Sequence, residues 1–214
     1  MKKFLVLGAL FIIPILAYLF FASGIHNFAR LPVLTQTVNE INGFSSFSGE
    51  AITLNGKITV LGFFGENVAL QKGNAFNLSQ KIYKRFYEFN DFQIVIVLPE
   101  GNRENAGKLL EELGRFTDMR NWKFIFGSPD EIKTLFTSLE TNLSLDKTLG
   151  TPYVFIIDKD RHLRGRNDDE DIGSRYGFDA TSVAELNNKM LDDMKVILAE
   201  YRMALKKNNA YREK

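Results

Sequence analysis

The 214-residue chain contains no cysteine. Disulfide bonds, thiolate metal sites and thiol–disulfide exchange are therefore excluded, whatever the fold. Histidine occurs only twice and the net charge is +1, so the composition gives no bulk electrostatic case for binding nucleic acid. The sequence patterns of serine hydrolases, P-loop enzymes, zinc proteases and dinucleotide-binding enzymes are also missing. The sequence therefore says more about architecture and location than about chemistry.

One long apolar run stands at the N-terminus. Lys2 and Lys3 precede the strongly apolar stretch Phe4–Ala22, and a helix over this stretch would be about 28 Å long, close to the thickness of a bilayer core. A cleaved signal peptide is the alternative, but Phe21-Ala22-Ser23 places a bulky side chain where its cleavage site needs a small one. We therefore expect an uncleaved transmembrane anchor, with a single pass. The two lysines predict a cytoplasmic N-terminus and a periplasmic or extracytoplasmic body.

The rest of the chain has the composition of one folded domain with short extra segments. We expect an anchor over residues 1–23, a linker over 24–43, a single domain over 44–206 and a polar, frayed tail over 207–214. Residues 44–54 alternate weakly and predict a short hairpin or edge strands.

The domain alternates between buried strands and amphipathic helices. Apolar runs predict four strands: Lys57–Phe64, Phe92–Leu98, Trp122–Phe126 and Tyr153–Ile157. A short strand at His162–Arg164 is expected to follow the last of them. Helical periodicity and capping residues predict helices in four places: from Asn74 or Asn77 to Phe89, from Asn102, from Ser128-Pro129, and from Ser182 to Lys206. This order predicts an α/β sandwich.

The segments KITVLGFF, FQIVIVLPEG, NWKFIFGSPDEIKTLF and TPYVFIIDKDRHLRG follow one another in an order and spacing that resemble the SCO/SenC family. Members of this family are thioredoxin-like, membrane-anchored copper chaperones and thiol reductants for cytochrome oxidase assembly. The resemblance covers most of residues 43–198. It implies a thioredoxin-like sandwich with a central mixed sheet flanked by helices, and a protein partner in respiratory-complex assembly.

The chain departs from this family at the residues that carry its chemistry. Family members use a CxxxC motif after the first central strand and a distant histidine, because thiolates and imidazole suit copper. By eye, the cysteine positions fall near Asn67 and Gln71 and the histidine position near Gly150. We therefore transfer neither copper binding nor reductase activity to any residue, and we expect no cofactor, no metal site and no catalytic residue.

Thr151-Pro152 resembles the proline loop that faces the active-site helix in thioredoxin folds and presents backbone groups to partner peptides. Together with Asn67 and Gln71, these residues form a candidate partner-binding face. A cis and a trans peptide bond before Pro152 both remain open. The plainer alternative is that the proline only marks the start of a strand.

Two other functions remain as alternatives. A copper-handling protein with unusual ligands would use His162, carboxylates or methionines, although the methionines have the spacing of packing residues: Met119, Met190, Met194 and Met203. An enzyme with thiol-independent chemistry would need converging titratable groups in a pocket.

Two charged clusters and one aromatic cluster have plain explanations. The acidic run Asp168–Asp171 lacks the spacing of a calcium loop and predicts a solvated loop. Arg161, Arg164 and Arg166 predict local charge compensation with those acids across a hairpin. The aromatic residues between the first two predicted strands are expected to be mostly part of the core: Phe76, Tyr83, Phe86, Tyr87 and Phe89. The alternative is that the two tyrosines line an exposed edge where a partner docks.

Overall fold

The computed structural model describes residues 2–22, 30–47 and 49–212. Helix α1 spans Lys2–Ala22, and most of its described apolar side chains are exposed, Phe4 by 82%. Among the helices of these described residues, none combines the length and the apolar character that crossing a membrane requires.

A mixed sheet forms the centre of the domain. The strands are β1 (Val33–Thr35), β2 (Ser45–Ser46), β3 (Ile58–Phe64), β4 (Phe92–Pro99), β5 (Trp122–Gly127), β6 (Gly150–Ile157), β7 (Leu163–Arg164), β8 (Arg166–Asp169), β9 (Gly173–Arg175) and β10 (Phe178–Asp179). The parallel core joins β3, β4 and β5, and β6 runs antiparallel to β3 on the other side. The strand order is β1-β7-β6-β3-β4-β5-β2, with β10 also paired to β6, and β8 and β9 form a separate hairpin. The central strands β3, β4, β5 and β6 are the four that the sequence predicts from its apolar runs.

Helices cover both faces of this sheet. The helices after α1 are α2 (Lys72–Leu78), α3 (Lys84–Phe86), α4 (Arg103–Gly114), α5 (Pro129–Thr137), α6 (Val183–Glu185) and α7 (Leu191–Arg212). Two π-helical turns connect pairs of these helices: Ser79–Tyr83 joins α2 to α3, and Leu186–Met190 joins α6 to α7. These two turns contact each other.

The sheet separates two apolar layers. On one face, side chains such as Leu78, Leu109 and Met190 connect α2–α3, α4 and α6–α7. On the other face, α5 packs Ile132 and Leu135 against the sheet. Every residue of β3 and β4 is buried, as expected for central parallel strands covered on both sides. The predicted α/β sandwich with a mixed sheet is confirmed.

The start of α5 follows the sequence signal closely. Ser128 Oγ accepts a hydrogen bond from the Glu131 backbone N–H, and Glu131 Oε2 accepts one from the Ser128 N–H (2.8 Å). This reciprocal pair satisfies two helix donors, and Pro129 occupies the first turn, where no N–H is needed. The hydrogen bonds from Ser128 lower the pKa of the Glu131 carboxyl.

The segment expected as a linker over residues 24–43 belongs in large part to the domain. Val33–Thr35 pairs with β7, and the side chains of Leu31, Val38 and Ile41 are buried. The expectation is therefore wrong for residues 31–41, because apolar side chains too sparse to show a period still enter the core. Residues 24–29 of that linker lie outside the described residues.

The sequence predicts either a short hairpin or edge strands for residues 44–54. Strand β2 of this segment pairs with β5, which favours edge strands.

Two helix boundaries also differ from the prediction. The helix after β3 begins at Lys72 and ends at Phe86, so neither Asn74 nor Asn77 caps it. Instead, Asn77 Nδ2 donates to the Ala180 carbonyl (3.0 Å). At the other end of the chain, α7 continues to Arg212, so the expected polar tail over residues 207–214 is helical over most of its length. Lysine and arginine favour helix, which explains why polarity alone did not end it.

Candidate functional site

The loop over residues 65–71 connects β3 to α2 and is held against a second loop over residues 146–152. The Glu66 N–H donates to the Thr148 carbonyl (2.9 Å), and Phe64 lies opposite Gly150 in the sheet. Gly65 has a φ of +67°, and a Cβ there would lie 2.6 Å from the Thr148 carbonyl oxygen. Only glycine accommodates both the positive φ and this close approach.

The second loop is fixed by one carboxylate. Asp146 Oδ1 accepts hydrogen bonds from the backbone N–H groups of Thr148 (2.7 Å) and Gly150 (2.9 Å). Burial by itself would raise the pKa of Asp146, but these hydrogen bonds lower it below its ordinary value. The charged carboxylate therefore keeps the loop in one conformation at neutral pH.

The predicted partner-binding residues differ in what they present. Asn67 is exposed, and its Oδ1 makes only a long contact with the Leu70 N–H (3.4 Å). Gln71 is half-buried and accepts a hydrogen bond from Asn74 Nδ2 (2.5 Å). Thr151 is buried, so its side chain faces the protein.

Pro152 is exposed, and the peptide bond before it is trans. Its carbonyl accepts a hydrogen bond from the Ala180 N–H (2.9 Å). The sequence analysis did not single out Leu70, whose side chain is 79% exposed near the end of the first loop. No sequence signal marks it, because Val68 and Ala69 before it are also apolar, and only the structure shows that Val68 is buried while Leu70 is exposed.

The positions that the family resemblance aligns with copper ligands carry poor donors for copper. Asn67 and Gln71 provide amide groups, which are poor ligands for a soft ion, and Gly150 has no side chain. Among the methionines, Met190 and Met194 are fully buried in the core, and Met119 packs against it partly buried. The side chain of Met203 lies outside the described residues.

A different cluster of potential ligands lies in the turn between β6 and β7. Asp158, Asp160 and His162 can each place one ligand atom within 4.8 Å of the others. Both oxygens of Asp158 are already engaged, since Oδ1 accepts the N–H groups of Asp160 and His162 and Oδ2 accepts Arg164 Nη1 (2.9 Å). Asp158 therefore shapes the turn and neutralises a buried arginine, and a cation at this site would compete with Arg164.

Arg164 joins three distant parts of the chain. Its guanidinium donates to the Leu31 carbonyl (2.8 Å), to Asp158 and to Glu200 Oε2 (2.7 Å). Glu200 also accepts the Leu31 N–H (2.9 Å). Arg166 binds Asp193 through Nε and Nη2. The predicted local charge compensation is therefore wrong for these two arginines, since both also reach acids on α7.

The acidic run Asp168–Asp171 is exposed as expected at three of its four residues, but Asp169 is buried. The Asp169 side chain is only 1% exposed and accepts hydrogen bonds from Arg175 Nε (2.8 Å) and Lys189 Nζ (2.9 Å). These cationic donors hold the pKa of Asp169 well below its ordinary value. The signal that could have revealed the pair is Gly173, whose φ of +72° closes the β8–β9 hairpin between Asp169 and Arg175.

No protein-family model matches the chain, and neither does any curated protein. Among solved structures, a SCO1/SenC family lipoprotein from Bacillus anthracis str. Ames matches with a TM-score of 0.55. The chain therefore has a thioredoxin-like fold, similar to that of this lipoprotein. The match covers 79% of this chain and 99% of the lipoprotein, at 18% sequence identity.

Two further structures support the same fold. BsSco, a member of the Sco family of cytochrome c oxidase assembly proteins, matches with a TM-score of 0.53 and 15% identity, over 77% of this chain and 95% of BsSco. A putative electron transfer protein from Aquifex aeolicus VF5 matches with a TM-score of 0.51 and 14% identity, over 79% and 98% of the two chains. At these identities the similarity establishes the thioredoxin-like fold, which confirms the resemblance seen in the sequence at the level of the fold.

Proposed function

We propose that this protein is a non-catalytic, thioredoxin-like binding protein that acts in respiratory oxidase biogenesis on the extracytoplasmic side of a membrane. One observation carries the proposal: the chain has a thioredoxin-like fold similar to that of a SCO1/SenC family lipoprotein, with two loops braced against each other at the candidate partner-binding face, yet it has no cysteine. Without a thiolate the face can bind a partner but cannot exchange disulfides.

The face has the properties of a preorganised binding surface. Gly65 and Asp146 fix the two loops, so little conformational entropy is lost when a partner binds. Leu70, Asn67 and Pro152 are exposed along the face and offer apolar, amide and ring surface. This combination suits an extended segment of a protein partner.

The proposed cellular role rests on analogy with a structural neighbour. BsSco belongs to a family of cytochrome c oxidase assembly proteins, and function does not follow from fold by itself. We therefore propose an oxidase subunit or another assembly protein as the partner.

Site-specific photo-cross-linking in intact membranes tests the partner. A photoreactive amino acid at Leu70 is expected to capture an oxidase subunit or an assembly protein, whereas the same amino acid at Lys133, exposed on α5, is not. Equal capture of unrelated envelope proteins from both positions would contradict the proposed role.

We also propose that α1 anchors the protein in the membrane. Its support is the uncharged run after Lys2 and Lys3, together with exposed apolar side chains such as those of Phe4, Phe11 and Phe20. The full chain should stay in the membrane pellet after alkaline carbonate extraction, and a chain that begins at Arg30 should be released. Release of both chains would show that α1 is not an anchor.

Copper handling through the cluster in the β6–β7 turn is a second candidate function, in which Cu²⁺ would have to displace Arg164 from Asp158. His162 is half-exposed and lies beside Asp158 and Asp160, and imidazole with carboxylates is a ligand set that Cu²⁺ accepts. Copper titration followed by electron paramagnetic resonance should then show one defined site that His162→Ala removes. Background binding that His162→Ala leaves unchanged would exclude this candidate.

A further inference from the structure

A surface cavity of about 270 Å³ lies between the ends of α3 and α4, away from the two braced loops. Its lining comes from the segment after the π-helical turn and from the loop after α4: Lys84, Arg85, Tyr87, Glu88, Phe116 and Thr117. The helical segment that begins beside the 65–71 loop ends here, roughly 20 Å further along its axis. The cavity is therefore a separate feature from the proposed partner-binding face.

Two cations of this lining have no partner. Within the residues that the structure describes, neither the Lys84 nor the Arg85 side chain makes a hydrogen bond or an ion pair. Other cations near this end of the domain are paired, Lys72 with Glu112, Arg115 with Glu111 and Arg120 with Asp118, whereas Lys81 is unpaired among these described residues but lies outside the lining. The only acid of the lining, Glu88, accepts a hydrogen bond from the Tyr87 hydroxyl (3.3 Å). The lining thus carries a net positive charge.

A hydroxyl group of the lining also lacks a partner. Thr117 Oγ1 is buried and has no hydrogen bond within the described part of the chain. A buried polar atom without a partner is unfavourable, so such atoms need an explanation. The hydroxyl is shielded from solvent in this conformation, and a rotation of the Thr117 side chain would bring it to a ligand oxygen in the cavity.

Two aromatic rings give the cavity flat walls. The side chain of Phe116 is 62% exposed, and its ring is held edge-on against Phe76 at 5.9 Å between centroids. The half-buried ring of Tyr87 lies 5.8 Å from that of Tyr83, and the Arg120 guanidinium lies over it at 5.8 Å. Rings held in place by such neighbours are suited to stacking on a flat apolar group.

The preceding π-helical turn, Ser79–Tyr83, adds a further indication. Turns of this kind interrupt a regular helix and frequently occur at functional sites. Lys84 and Arg85 directly follow this turn and so take their positions from it.

We propose that this cavity binds a small organic anion, with a phosphate or carboxylate group attached to a flat apolar body. The anionic group pairs with Lys84 and Arg85 and accepts a hydrogen bond from Thr117, while the body stacks between Tyr87 and Phe116. The volume lies just below the range of about 300–1,000 Å³ that is usual for ligand pockets, so the ligand is a small one.

The single tryptophan makes the test direct. Trp122 lies 5.5 Å from the Tyr83 ring, which contacts Tyr87 at the cavity. The full-length protein in detergent is titrated with phenyl phosphate, benzoate, inorganic phosphate and phenol, followed by tryptophan fluorescence and calorimetry. Saturable binding is expected for phenyl phosphate or benzoate, whichever carries the preferred anion. Inorganic phosphate and phenol should bind at least about tenfold more weakly, since each lacks one half of the ligand.

Variants separate this site from general surface charge. Lys84→Gln and Arg85→Gln should each weaken binding by about tenfold, as expected for the loss of a charge-assisted hydrogen bond, and Thr117→Val should weaken it less. Lys81→Gln, on the same helical segment but outside the lining, is the matched control and should bind like the natural chain. Circular dichroism checks that each variant is folded.

Three outcomes overturn the proposal: no saturable binding of either aromatic anion, equal affinity for inorganic phosphate and phenyl phosphate, or equal loss in Lys81→Gln and Arg85→Gln. None of them bears on the proposed partner-binding face, which involves different residues.

Discussion

At the scale of single residues, the charged side chains with the most contacts are the ones whose roles the sequence did not reveal. Arg164 and Asp169 both look like members of solvated charge clusters, yet both are buried and paired. A buried charge is tolerated only with a full set of partners. Arg164 finds distant partners in the N-terminal segment and on α7. Asp169 is held by Arg175 on β9 and by Lys189 on the π-helical turn Leu186–Met190. Local sequence patterns do not connect these segments.

Replacing Arg164 with methionine should destabilise the protein by about 3–5 kcal/mol, because it leaves the buried Asp158 without its main cationic partner. The measurement is urea denaturation followed by fluorescence. Arg115→Met is the control, since its ion pair with Glu111 is exposed and worth about 0–1 kcal/mol. Equal effects of the two changes would show that the buried network does not contribute to stability.

Asp169 should make stability depend on pH in the acid range. Because Arg175 and Lys189 hold its folded-state pKa below that of the unfolded chain, the unfolded state binds more protons as the pH falls. The contribution is complete well above pH 4 and declines below about pH 5. Asp193 acts with the opposite sign, since burial raises its pKa.

The matching experiment compares the natural chain with Asp169→Asn. Thermal unfolding between about pH 2.5 and 7 should show a smaller decrease of the melting temperature toward acid in the variant, although the variant is less stable at neutral pH. Parallel curves for the two proteins would contradict the assigned role of Asp169.

At the scale of elements, the sequence predicted the central strands and most helices because their apolar patterns are long and regular. It also predicted the start of α5, where Ser128, Pro129 and Glu131 carry the signal within four residues. The edge elements were predicted poorly. Strands of two or three residues, such as β2 and β10, owe their conformation to the neighbouring strand and not to their own sequence.

The contact between the 65–71 loop and the 146–152 loop predicts a sharp difference between two glycines. Gly65→Ala should cost about 1–2 kcal/mol for its positive φ and more for the clash with Thr148. Gly101→Ala meets the same kind of φ penalty in open space and serves as the control. Urea denaturation should therefore place Gly65→Ala clearly below Gly101→Ala in stability, and equal midpoints would indicate that the loops are not in close contact.

At the scale of the whole molecule, the domain begins earlier than its composition suggests. Leu31 is hydrogen-bonded to both Arg164 and Glu200, β1 extends the sheet, and Val38 and Ile41 fill the core under α5. The chain segment next to α1 is therefore part of the folded body.

Truncation tests this boundary. A chain that begins at Arg30 should unfold at the same urea concentration as the full chain, because the described side chains of α1 are largely exposed. A chain that begins at Phe44 should lose at least about 3 kcal/mol, since each of Val38 and Ile41 contributes about 1.5–3 kcal/mol by burial. Equal stability of the two truncated chains would instead support the linker over residues 24–43 that the sequence predicted.

The sequence by itself determined the absence of thiol chemistry, the apolar N-terminal run and the alternation of strands and helices, because each depends on residue type or on short-range periodicity. Only the tertiary structure decided where the buried charges go, since the Leu31 carbonyl and Arg164 are separated by 133 positions. It likewise brought the ends of α3 and α4 together around the cavity at Lys84 and Thr117. Contacts between such distant residues arise from the shape of the packed sheet and helices, and that shape is not written in any local pattern.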